Sequence, residues 1–197
     1  ADEAVRIAEA DGADADLVVA LSSRAQVHHD RWRARREPDR LRSAIEDWRA
    51  VLALDPVEER WLTAYNLGNA LVSLEDAGAL DEAVSLLVGA VRHLDRTDGP
   101  DAALAAGRLA EALHRRALAL PTRQDREHAR AALWSARAVR WARAVSPETL
   151  MAVAWDWGAR AAGVDDHAAA ADAYSAATDA LEALVHANRL VGGKETW

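Results

Sequence analysis

Between Trp61 and Leu94 the chain carries two runs of apolar residues at steps of two to four, mostly three and four, divided by a turn. Leu62, Tyr65, Leu67, Leu71 and Leu74 form the first; Leu80, Val84, Leu87, Val91 and Leu94 form the second. Steps of this size line up on one face of an α-helix, whereas a half-buried strand alternates every second residue. The pattern therefore predicts a helical hairpin. Asp76-Ala77-Gly78 supplies the break, with Gly78 as the expected left-handed residue that stops the first helix. Gly68 and Ala70 on one helix, and Ala83 and Ala90 on the other, stand where the two would approach closely. Glycine inside a helix costs about 1 kcal/mol relative to alanine, so Gly68 is expected to have a packing reason.

The rest of the chain reads as altered copies of this hairpin, the signature of a repeat array. Asp81-Glu82-Ala83-Val84 is matched by Asp2-Glu3-Ala4-Val5 and, more loosely, by Arg42-Ser43-Ala44-Ile45. Measured on the small residue, Ala4, Ala44, Ala83, Ala129 and Ala170 are 40, 39, 46 and 41 residues apart. A bulky residue follows at the fourth position (Trp48, Leu87, Leu133, Tyr174) and a small or β-branched one at the seventh (Val51, Ala90, Ala136, Ala177). That is one helix face, repeated. The partner helices echo each other upstream, in Leu67-Gly68-Asn69-Ala70-Leu71, Leu109-Ala110-Glu111-Ala112-Leu113 and Trp157-Gly158-Ala159-Arg160-Ala161. In the first copy the small position is either Ser22 or Ala25.

Helices are predicted over about 2–10, 15–35, 39–54, 58–76, 80–94, 101–119, 124–145, 148–162 and 166–190. Pro38, Pro56, Pro100, Pro121 and Pro147 mark the joints; a proline is tolerated at a helix start because the donor it lacks would be unpaired there anyway. The expected organisation is a single repeat domain over 1–197. It comprises a half repeat at 2–10, repeats at about 15–54, 58–94, 101–145 and 148–190, and a tail at 191–197 that leads toward a further element. Residues 2–10 lack a first helix, so the chain is expected to be an engineered fragment or one section of a longer array.

Composition narrows the function classes. Alanine is about a quarter of the 197 residues and Phe is absent, so the core must be filled by Leu, Val, Ala and Trp. Without cysteine, disulfides and thiolate metal sites are excluded, and a reducing cytoplasm is the expected compartment. No run of eighteen apolar residues suggests a membrane span. A net charge of −8 argues against nucleic-acid binding by the whole surface.

The last copy carries a family resemblance. From Gly158 it is 12 residues to Ala170, 4 more to Tyr174 and 3 more to Ala177. This resembles the tetratricopeptide repeat, and Ala44, Trp48, Val51 and Pro56 match the second half of that pattern with steps of 4, 3 and 5. The other copies are stretched between helices, with Asn66-Leu67-Gly68-Asn69-Ala70-Leu71 and Glu37-Pro38-Asp39-Arg40-Leu41-Arg42-Ser43-Ala44-Ile45 in the style of actinobacterial arrays that precede a CHAT (caspase-like) domain. The tail Lys194-Glu195-Thr196-Trp197 is similar to the junction before that domain.

The resemblance implies an all-α, TPR-like α-solenoid of antiparallel helical hairpins with about nine helices. It also implies a non-catalytic protein–protein interaction module that binds a peptide or protein partner in a concave groove, with regulation of an adjacent CHAT-type protease domain as a further expectation. The alternative is a structural spacer or self-assembly scaffold without a peptide ligand. First helices line the inner wall in such arrays. Carried over residue by residue, the second copy presents Tyr65, Asn66, Asn69 and Val72, the third Arg108, Glu111, His114 and Arg115, and the fourth Trp155, Asp156 and Ala159, while Trp157 turns into the core. Tyr65, Asn66, Asn69, Arg108, Glu111, Arg115, Trp155 and Asp156 are the expected contacts. Asn66 and Arg108 hold the position that contacts a peptide carboxylate in chaperone-binding members, but Leu104 stands where those use lysine, so a carboxylate clamp is not expected.

Other clusters have simpler readings. His28-His29-Asp30 lacks the four-residue spacing that suits helical metal ligands and reads as a solvated face. Arg31 to Arg36, with Trp32 among them, lies at a helix C-terminus, where cations complement the helix dipole. Trp48 and Trp134 read as core. Glu58-Glu59 and Asp165-Asp166 read as helix-start carboxylates, and Gly192-Gly193 lacks the context of a phosphate loop. No cofactor, metal or catalytic set is expected.

Overall fold

A computed structural model describes residues 2–12, 14–54, 60–74, 76–95 and 99–192, with side chains described for these except at 11 and 188–192. Pro56, Glu58-Glu59 and the tail beyond Gly192 lie outside the described residues. Within them the protein is all-α: nine α-helices, one 3₁₀ turn and no strand. The helices are α1 (Asp2–Asp11), α2 (Asp14–Arg35), α3 (Pro38–Ala53), α4 (Arg60–Ser73), α5 (Ala77–Leu94), α6 (Pro100–Ala119), α7 (Gln124–Arg143), α8 (Pro147–Ala162) and α9 (His167–Gly192), with the 3₁₀ turn at Pro121–Arg123. The chain divides into two compact units, Ala1–Ala90 and Val91–Trp197.

Helix starts follow from local chemistry. Pro38, Pro100 and Pro147 each occupy the first helical position. Ser146 adds a side-chain cap to α8, its Oγ accepting from the Thr149 N–H at 3.1 Å. Asp166 does the same for α9, accepting from Ala169 at 3.1 Å. At the break after α4 the expectation for Gly78 is corrected. Gly78 lies in the first turn of α5, and its N–H donates to the Asp76 carboxylate at 2.8 Å. The hairpin is therefore turned by a helix-starting aspartate rather than by a left-handed glycine. Among the described residues the left-handed positions are Gly12, Arg36 and Asp165.

In the first unit α2 and α3 pair, α3 continues onto α4, and α1 covers α2. Val5 and Ala8 of α1 share a core with Ala20, Leu21 and Val51, so the short first helix is held by burial rather than by its own length. Ala25, rather than Ser22, is the fully buried small residue of α2. Asp47 is buried on α3, and Arg24 of α2 meets it with two hydrogen bonds at 2.9 and 2.7 Å. In the second unit α6 pairs with α7 and α8 with α9, while α8 also packs on α6 and α7. Seven alanines of α6 are fully buried, and so are Leu109 and Leu113.

The repeated face holds at Ala44–Trp48–Val51 and Ala83–Leu87–Ala90, all buried, and at Ala170 and Ala177 with half-buried Tyr174 between them. It fails in the third copy and at Ala4, which is exposed. Ala129 and Ala136 are exposed and Leu133 is 69% exposed; the buried positions of α7 are Glu127, Ala131, Ser135, Ala138, Val139 and Ala142. The register of α7 is thus two residues later than expected, with Ala131 as its small residue. Trp134, expected in the core, is half-buried with the Arg137 guanidinium 5.2 Å from its ring.

Two glycines carry the hairpin contacts. A Cβ on Gly68 would stand 2.8 Å from Leu87 Cγ, and one on Gly158 would stand 2.7 to 2.9 Å from the Tyr174 ring. Both helices have closed onto a position where no side chain fits. By contrast, a Cβ on Gly107 would meet only Val153, at 3.5 Å, an ordinary contact. Gly158→Ala should therefore lower stability by about 1–2 kcal/mol, overpacking outweighing the gain in helix propensity. Gly107→Ala should be neutral or raise stability by up to about 1 kcal/mol. Thermal melts followed by circular dichroism check both, and an unchanged melt for Gly158→Ala would contradict the packing argument.

Candidate functional site

The residues expected to contact a partner are divided between the units. Tyr65, Asn66 and Asn69 are half-buried on α4, in the first unit. Val72, expected beside them, is 2% exposed and belongs to the core. In the second unit Arg108 is exposed on α6, while Glu111 and Arg115 are half-buried and paired with each other. Glu111 also accepts from Arg160 of α8 at 3.2 Å, so its carboxylate ties two helices. His29 corrects the expectation of a solvated face: it is buried against Trp32 and Trp48, with ring centroids 5.4 and 5.5 Å away. Among the described residues no group of three or more His, Asp or Glu side chains is placed to hold a metal ion.

The second unit contains a cleft of about 300 Å³. Its walls include His114 of α6, His128 and Ser135 of α7, and Trp157 and Arg160 of α8. Trp157 is half-buried here, as a cleft wall rather than full core. The two imidazoles stack with centroids 5.3 Å apart. Arg160 donates to Ser135 Oγ at 3.1 Å, which holds the buried hydroxyl as an acceptor. Burial lowers the pKa of His114, and His128, Arg160 and Arg115 add to that; Glu111 opposes them. For Glu111 itself burial acts upward, but Arg115 and Arg160 outweigh it and hold the carboxyl below its ordinary range.

An apolar pocket of about 350 Å³ opens between α8 and α9, lined by Met151, Ala152, Trp155, Asp156, Ala177, Thr178 and Leu181. Trp155 is 62% exposed. Its ring meets that of Tyr174 edge-on at 5.3 Å, and Tyr174 rests in turn on Gly158. The glycine that lets the helices close therefore also seats the aromatic that supports Trp155. Leu181, on the opposite wall, is 50% exposed. Of the expected contacts, the fold brings Trp155 and Asp156 together at this pocket and joins Glu111 to Arg115. Sequence reasoning missed Met151 and Leu181. The available signal was that Met151 precedes Trp155 by one helical turn, off the buried phase of Val153, Ala154, Gly158 and Ala161.

No family model matches the chain, and no curated protein or solved structure matches it.

The cleft gives a pH dependence with a defined sign. His114 is held neutral in the fold, so its contribution to stability is complete above the ordinary histidine value of about 6.5 and is eroded as pH falls below it. His28 in the first unit acts in the same direction, chiefly through burial. The Glu111 contribution is complete above the ordinary carboxyl value of about 4.3 and is lost as pH falls through its lower folded value. Melting temperature should therefore fall between pH 6.5 and 5, and His114→Gln should reduce that fall, leaving the share of His28. Melts at half-unit pH intervals check this; an identical slope in the variant would contradict the burial of a neutral His114.

Proposed function

We propose that the chain is a non-catalytic protein-interaction module that takes an apolar side chain of a peptide or partner protein into the pocket beside Trp155. The observation that carries this is a tryptophan left 62% exposed on a helix, beside a pocket whose opposite wall ends in exposed Leu181. Exposed aromatics next to apolar concavities are the usual anchors of protein recognition, and tryptophan is prominent among them. The anchor is supported from behind by Tyr174, so little order has to be imposed on binding. The net charge of −8 supports a protein partner over a nucleic acid.

The resemblance to tetratricopeptide arrays of the kind that precede a CHAT domain supports the finer reading: a cytoplasmic sensor or holder whose partner regulates an adjacent caspase-like effector. A spacer or self-assembly role draws support from Ile7 and Val19, both exposed in the first unit. Light scattering over a concentration series separates the two: the sensor reading expects a monomer at micromolar concentration, the scaffold reading a growing mass.

Selection from a displayed peptide library on the immobilised chain tests the proposal. Enriched peptides should carry an apolar or aromatic anchor, and Trp155→Ala should weaken their binding by about 2 kcal/mol or more, roughly thirtyfold, while the melting temperature stays within a few degrees. Peptides that bind the variant as well as the parent would remove Trp155 from the site.

A further inference from the structure

Two observations at the α8–α9 surface point beyond an apolar anchor to the kind of segment that carries it. The first is continuity. Thr178 and Leu181 line the apolar pocket and also a second, shallower hollow along α9, shared with Asp179, Glu182, Ala183, Val185 and His186. Leu181 and Val185 are one helical turn apart and both exposed, so the apolar strip begun at Trp155 continues along the helix. The second is charge. The strip is bordered by three exposed carboxylates, Asp156, Asp179 and Glu182, and among the described residues no arginine or lysine lines either hollow. Among the described residues His186 is the only other titratable group lining them.

These carboxylates differ from several others on the surface. Glu3, Asp39, Glu82 and Asp95 each meet an arginine at 3.0 Å or less. Among the described residues none of Asp156, Asp179 and Glu182 has an ion-pair partner; Asp156 acts on the Arg160 charge only at longer range. Three unpaired like charges around an apolar strip repel one another and attract a cation across it, which gives an interface its register and selects against wrongly charged partners.

We propose that the partner segment is basic: a short peptide whose apolar anchor enters the Trp155 pocket and whose flanking lysines or arginines lie against Asp156, Asp179 and Glu182. This rests on the interaction reading given above and adds the chemistry of the ligand. A pocket of about 350 Å³ admits one or two side chains, which suits a linear segment. Exposed ion pairs are individually modest, so each carboxylate should contribute about a two- to fivefold change in affinity.

Three synthetic peptides test the proposal, each with a central Trp-x-x-Leu anchor flanked by Lys, by Gln or by Glu. Binding is read by fluorescence anisotropy of labelled peptide to the parent chain, to Trp155→Ala and to the triple variant Asp156→Asn, Asp179→Asn, Glu182→Gln. The expected result is that the Lys peptide binds the parent about eightfold or more tighter than the Gln peptide, and the Glu peptide binds most weakly. Trp155→Ala abolishes binding. The triple variant keeps its melting temperature and loses the Lys preference, and the preference shrinks between 50 and 300 mM salt. Equal binding of the Lys and Gln peptides, both lost in Trp155→Ala, overturns the basic partner and leaves the anchor reading standing. Failure of every peptide to bind in a Trp155-dependent way removes the anchor reading itself. Lys-peptide binding that ignores Trp155, or self-association of the parent that Trp155→Ala abolishes, overturns the proposal in favour of unspecific charge or a second copy.

Discussion

Closure of helices over residues with little or no side chain is the constraint on which this fold depends. Leucine-rich helices keep their axes apart by the bulk of interdigitating chains, whereas alanine and glycine let backbones approach. Here the hairpins close at Gly68 against Leu87 and at Gly158 against Tyr174, and α6 presents alanines to its surroundings on several sides. Such packing gains from many short contacts rather than from a few large buried side chains. It is intolerant where the approach is closest, which is why a single methyl group is consequential at Gly158 and tolerable at Gly107.

Alanine contacts give helices little lateral specificity, because one alanine face resembles another. The arginine–carboxylate ties supply it. Arg24 with Asp47 fixes α2 against α3, Arg49 with Glu82 fixes α3 against α5, Arg116 with Glu127 fixes α6 against α7, and Arg160 with Glu111 fixes α8 against α6. Several of these groups are buried or nearly so, and a buried charge without its partner is costly, so a slipped register is penalised even where the apolar contacts would accept it. That division of labour suits a chain with an abundance of alanine and arginine and no phenylalanine.

Helix positions were legible in the sequence because their ends carry chemistry: Pro38, Pro100 and Pro147 stand at first positions, and Asp166 caps where a carboxylate was expected. The register of α7 was not. Its alanines at 129, 131, 132, 136, 138 and 142 fall on every face, and the bulky side chain expected on the repeated face, Leu133, points outward, while Glu127 and Ser135 occupy the core. Periodicity cannot choose among phases when small residues fit all of them and the buried polar groups are those held by arginines on other helices. The same blindness hid the far wall of the pocket. Trp155 stood out by its size and its place in the repeat, but Met151 and Leu181 acquire meaning only once α8 and α9 are side by side.

Tryptophan shows most directly how packing decides function here. Trp48 and Trp155 are both helical, yet one is 2% exposed and the other 62%. Trp48 points to where α2 supplies His29 as a cover, and its whole ring is enclosed. Trp155 lies beyond the point where Gly158 admits Tyr174, and that ring meets it at a steep angle without enclosing it. The remaining face is apolar area that water solvates at a cost of about 25 cal/mol per Å², an expense the fold could have avoided with a smaller residue at the same position. A fixed, half-supported aromatic next to an apolar hollow and a border of unpaired carboxylates is therefore a surface whose free energy falls when a complementary segment covers it, and that is the physical content of calling it a binding site.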